Sequence, residues 1–113
     1  MSESTVTCLR AVRARLATPD KWTKGALARK ADGNAVNPHD QDAVCWCLSG
    51  AMLVEAEELG EGSISGFENV IYRTTHEITG SFDYVLWQDR DNRTHAEVLA
   101  LIDRAIQLAE ATR

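Results

Sequence analysis

Residues 40–59, DQDAVCWCLSGAMLVEAEEL, constrain the fold more than any other part of the chain. Val44, Cys47, Leu48, Ala51 and Met52 recur at three- and four-residue steps, the period of a helix with one apolar face. Trp46, Leu53 and Ala56 make the other side apolar as well. A helix that is apolar all round belongs at the centre of a bundle. Asp40 is placed to cap its start, Asp42 suits the positive end of its dipole, and Gly60 supplies the stop. Gly50 inside it costs up to about 1 kcal/mol relative to alanine, which a close helix crossing would explain. The expectation is one continuous helix over residues 40–59, with both thiols turned to packing.

Three further segments carry helical signals. Val6, Leu9, Val12 and Leu16 make one apolar stripe over residues 4–17, ended by Thr18-Pro19. Phe67, Val70, Ile71, Thr74 and Ile78 share a face over residues 67–79, with Gly80 as the stop. Val98, Leu101, Ile102, Ala105, Leu108 and Ala109 line one side of residues 94–112, and Thr94 with Glu97 has the spacing of a capping box. Between the last two lies a dense apolar-aromatic run, Phe82, Tyr84, Val85, Leu86 and Trp87, helical turn or short extended piece. Residues 21–39 hold most of the breakers, Gly25, Asp32-Gly33, Asn34 and Asn37-Pro38. They read as an ordered loop with at most two short strands, pinned to the body by Trp22. The predicted architecture is all-α: a single domain over residues 1–113, four main helices, and that loop or short hairpin after the first.

With 113 residues, 44% of them apolar, there is room for one core without staples. The three cysteines, Cys8, Cys45 and Cys47, form no disulfide framework. The first residues have no signal-peptide pattern, and no run approaches the length of a membrane span. A reducing cytoplasm is the expected location. The net charge of −5 argues against general nucleic-acid binding, but its distribution is uneven. Residues 1–30 hold seven Lys/Arg and two acids; residues 31–113 hold five and fifteen. Either the basic part lies against the acidic remainder of the same fold, or it meets an acidic partner or a phosphate backbone. Glu55, Glu57 and Glu58 oppose the dipole at the end of the central helix. This suggests that Arg13 or Arg10 pairs with Glu55 or Glu58, while Arg15 points elsewhere.

Candidate chemistry is sparse. Cys45-Trp46-Cys47 with His39 is the first set to test for zinc. On a helix, residues two apart diverge by about 200°, so the two sulfurs would face opposite ways, and a core role is favoured. His95, beside Arg93 and within reach of Asp89 or Asp91, is a candidate acid or base in a polar site. No nucleophile accompanies it. His76 with Glu77 lacks the Glu-x-x-His spacing, because Arg73 stands three residues before it. There is no Walker loop, GxGxxG, HExxH or GxSxG. No cofactor or metal is expected.

Ala43-Val44-Cys45-Trp46-Cys47-Leu48-Ser49-Gly50-Ala51, preceded by Trp22 and Gly25, forms one motif. Trp87-Gln88-Asp89 followed by Arg93-Thr94-His95-Ala96-Glu97-Val98-Leu99 forms another. Together they resemble a family of small bacterial and phage proteins grouped as a domain of unknown function. In that pattern an Asn precedes the Asp of the tryptophan motif; Gln88 stands there in this chain. The resemblance implies a phage or mobile-element setting and no activity. The leading expectation is a non-enzymatic interaction module, a regulator or inhibitor of a host protein, making contact through Arg10, Arg13, Arg15, Glu55 and Glu58. The alternatives are a metal-dependent enzyme or binder using Cys45, Cys47, His39 or His95, and a nucleic-acid binder using Arg10, Arg13, Arg15, Lys21 and Lys24. An all-round apolar helix can also be completed by a second copy, so a homodimer is a further partner to consider.

Overall fold

A computed structural model describes residues 3–111. The described residues form five α-helices and a small three-stranded antiparallel sheet, so the protein is mostly helical but not all-α. Helix α1 spans Glu3–Arg15, and a single 3-10 turn follows at Pro19–Lys21. Strands β1 (Ala28–Lys30), β2 (Ala35–Val36) and β3 (Ala43–Trp46) come next. Helices α2 (Leu48–Glu58), α3 (Ser65–Thr79), α4 (Tyr84–Asp89) and α5 (His95–Ala111) complete the order. The predicted end of the last helix at residue 112 lies outside the described residues.

The central expectation fails in its first half. Residues 43–46 are not helical; they are strand β3, on the far side of β1 from β2. Ala28 faces Trp46 and Arg29 faces Cys45 in the ladder. Val44, Cys45 and Trp46 are β-branched, small and aromatic, residues that suit a pleated half-buried surface. Val44 is exposed rather than buried in a helix face. Asp40 caps no helix. Its backbone carbonyl takes the N–H of Ala43, and its carboxylate takes the N–H of Asp42, tightening the turn that enters β3. The hairpin between β1 and β2 turns at Asp32-Gly33, where Gly33 has φ of 89°.

Helix α2 begins at Leu48. Cys47 is its N-cap, and its sulfur accepts the N–H of Gly50 at 3.3 Å. Gly50 is explained by the chain just before β1 and not by a crossing helix. A Cβ there would lie 1.9 Å from the carbonyl oxygen of Leu27. That same oxygen accepts the N–H of Cys47 at 3.2 Å, so the chain before β1 is drawn onto the first turn of α2.

The remaining stripes pack as their periods require. Val6, Leu9, Val12 and Leu16 of α1 and its exit meet Val98, Leu101, Ile102 and Ala105 of α5, with Leu48, Ala51 and Met52 of α2 and Val70 and Ile71 of α3 in one core. Ile78 is the exception, being exposed. Gly80, with φ of 81°, ends α3. The capping box at α5 is formed: the Thr94 N–H donates to Glu97 Oε1 at 2.9 Å, and the Glu97 N–H donates to Thr94 Oγ1 at 3.2 Å. The apolar-aromatic run resolves into α4, capped by Asp83. Tyr84 and Trp87 face inward, and Val85 and Leu86 face out.

Candidate functional site

The two sequence stretches that carry the resemblance meet at one place. A cleft of about 280 Å³ lies between the loop 25–27, the first turn of α2 and helix α4. Gly25, Ala26 and Leu27 form one wall, Cys47, Leu48 and Ser49 the second, and Tyr84, Val85, Gln88 and Asp89 the third.

Gln88 is the hub that holds the three walls together. It is 2% exposed. Its Oε1 accepts the indole N–H of Trp22 and the backbone N–H of Leu48, each at 2.9 Å. Both lone pairs of that oxygen are thereby used. Its amide donates to Asp89 Oδ1, which also accepts the N–H of Gly25 at 3.2 Å. A single buried side chain thus satisfies a loop indole and one of the free N–H groups that every helix start leaves over. Gly25 has φ of 74°, a conformation that suits glycine and lets the loop turn back over α4.

A second chain of hydrogen bonds crosses the cleft. Ser49 Oγ donates to the hydroxyl of Tyr84 at 3.0 Å, and Tyr84 donates to Glu68 Oε2 at 2.6 Å. Burial, and then the hydrogen bond to Glu68, push the Tyr84 phenol far above its ordinary range. Burial likewise pushes the Cys47 thiol up, opposed in part by the N–H of Gly50. Both groups keep their protons at neutral pH, so the cleft has neither a thiolate nor a phenolate to act as nucleophile or base.

The residues predicted to form a site are dispersed. Arg10 pairs with Glu110 at 3.1 Å and Arg13 with Asp103 at 2.8 Å, tying α1 to α5. Neither reaches Glu55 or Glu58. Arg15 does, at 2.6 and 3.3 Å, with its guanidinium 4.6 Å from the centre of the Trp46 ring. The arginine expected to point elsewhere, the last residue of α1, is therefore the one that meets the acids at the end of α2. Lys24 donates to the carbonyls of Arg90 and Asp91, and Lys21 is exposed.

Asp89, Arg93 and His95 do not converge either. Arg93 lies over the Trp87 ring and bonds the Trp87 carbonyl and Glu97. His95 Nε2 is 2.6 Å from the carbonyl oxygen of Leu16, so that nitrogen carries the proton, and the ring packs on Trp22. His39 pairs with Glu57 at 2.6 Å, away from the thiols. Among the described residues no group of three or more His, Cys, Asp or Glu side chains is placed to hold a metal ion. Nor is any helix among them long and apolar enough to cross a membrane.

Sequence reasoning missed Ser49, Tyr84, Glu68 and the role of Gln88. The available signal was a lone uncharged polar residue inside the run FDYVLWQD, where an apolar residue would otherwise be expected.

The fold and the cleft define a small, mostly helical protein with a three-stranded sheet and one recess between the loop 25–27, α2 and α4. The chain belongs to a family of unknown function, DUF6197, whose model matches residues 1–108. No curated protein and no solved structure matches it.

Proposed function

We propose that the chain is a protein-interaction module that works by surface complementarity, with the cleft and the outer face of α4 as its contact surface. The observation that carries this reading is the apolar exposure around the recess. Leu27 and Val85 on its walls are 43% and 47% exposed; near Val85 in the chain, Leu86 and Phe82 are 59% and 55% exposed, Leu86 in a neighbouring groove and Phe82 stacked on His76. Single exposed apolar residues need no explanation, but two of them on facing elements of one concave recess mark a contact site. The charged faces of α1 and α2 are less suited to the task, because Arg10, Arg13 and Arg15 already meet acids of the same chain. The protonated thiol and phenol favour binding over covalent chemistry. A phage or mobile-element regulator or inhibitor of a host protein is a setting in which such a module would act.

The test is affinity capture with three forms of the protein. The wild type and Arg10→Ala are expected to hold the same host partner. Val85→Asp is expected to weaken it by on the order of tenfold or more, as for a residue at the centre of an interface. Equal retention by Val85→Asp overturns the reading, and loss with Arg10→Ala returns the contact to the charged face.

A further inference from the structure

We infer that the cleft takes a basic side chain, a lysine or arginine of a partner polypeptide, with its methylenes on Leu27 and Val85 and its cation at Asp89. This rests on the reading of the cleft as a contact surface and adds what enters it. Three observations lead there. The first is size: at about 280 Å³ the recess is below the range of roughly 300–1,000 Å³ that encloses drug-sized ligands. It suits one side chain.

The second is charge. Of the ten residues that line the cleft, Asp89 alone is charged. Its Oδ1 takes the bonds from Gln88 and Gly25, and its Oδ2 takes neither. Two cations flanking the loop that forms one wall are bonded to other groups: Lys24 to the carbonyls of Arg90 and Asp91, and Arg29 to Thr23, Gly33 and the carbonyl of Lys24.

The third is the direction of the hydrogen bonds. The Tyr84 hydroxyl donates its hydrogen bond to Glu68, so its oxygen accepts from Ser49. Ser49 has spent its one proton and turns only lone pairs to the recess. Asp89 is an acceptor as well. The two side-chain donors left in the lining, the amide of Gln88 and the thiol of Cys47, belong to residues only 2% and 8% exposed. A recess that is apolar on its sides and offers acceptors asks for a donor on an apolar stem. Lysine and arginine are built that way, and a cation on a carboxylate gives the stronger, charge-assisted bond.

The experiment is a titration of the full chain, followed by amide NMR shifts, with two capped tripeptides, Ac-Gly-Lys-Gly-NH2 and Ac-Gly-Nle-Gly-NH2. Norleucine keeps the methylenes and lacks the ammonium. The lysine peptide is expected to shift the amides of Ser49, Val85 and Asp89 and to bind about five- to tenfold more tightly than the norleucine peptide, the range of a partly exposed ion pair. Asp89→Asn, which keeps the Oδ1 acceptor for Gln88 and Gly25, is expected to abolish that preference. Raising salt from about 50 to about 500 mM is expected to shrink it in the wild type, a check that needs no variant. Equal binding of the two peptides overturns the basic occupant and leaves the apolar contact surface standing. No shift with either peptide overturns both. A preference that survives Asp89→Asn assigns the cation to another group and refutes the site as drawn.

Discussion

Gln88 shows how much structure one side chain can hold. Its carboxamide oxygen is the acceptor for an indole from residue 22 and a helix N–H from residue 48. Leucine in its place leaves both donors without their acceptor, the Leu48 N–H in a buried position and the Trp22 indole in a half-buried one. Each buried unsatisfied donor costs about 1–3 kcal/mol, so Gln88→Leu is expected to lower stability by about 2–4 kcal/mol, read as a shift in the urea midpoint with an unchanged slope. Little of this site was legible in the sequence. The motif residues Trp22, Gly25, Cys47, Ser49, Gln88 and Asp89 do come together, but their roles depend on which lone pair meets which N–H across separations of 40 and 66 residues. Spacing along a chain carries no such information. The trio Asp89, Arg93 and His95 misled for the converse reason: they are close in sequence, yet the turn between α4 and α5 sends each to a different neighbour.

At the scale of elements, α1, α3 and α5 were legible because each carries its own apolar stripe and its own stop or start. The Thr94–Glu97 box is local to one turn and formed as its spacing requires. Thr94→Ala is expected to cost about 1 kcal/mol, measurable as a fall of several degrees in Tm for a domain of this size. Residues 43–46 were not legible. A short apolar run fits a helix period and a strand period equally well, and the run was joined to a true helix at Leu48. What decides for a strand is a partner outside the segment: β1 offers a ladder of N–H and C=O groups opposite Ala43, Cys45 and Trp46. The weak β-forming character of residues 28–36 hid that partner, since three- and two-residue strands leave almost no periodicity to read.

For the whole molecule, the uneven charge of the chain becomes a set of ties. The arginines of α1 meet acids of α5 and α2, so the basic beginning lies against the acidic remainder. The exposed pairs, Arg10–Glu110 and Arg13–Asp103, contribute little each, while Arg15–Glu55 is largely buried; alkaline conditions are where titration matters more. Burial raises Cys8, Cys47 and Tyr84 above their ordinary values. The fold favours the protonated form of each, while the unfolded chain releases protons from about pH 9 for the thiols and about pH 10 for the phenol. Their contribution is thus fully present below those values and is lost as pH rises from them through the raised values of the folded state. Thermal unfolding is expected to show a plateau at neutral pH and a falling Tm above about pH 9. In Tyr84→Phe, the part of the fall above about pH 10 should be smaller, and an identical alkaline limb in that variant would contradict the assignment.

The dependence of α2 on Gln88 has a consequence for how the protein is made. Synthesis runs from the first residue onward, and the oxygen that completes the opening turn of a mid-chain helix is translated 40 residues after it. Until that amide emerges from the ribosome, the tryptophan loop and the helix start have no common anchor. The region around the cleft can therefore set only after residue 88 has been released.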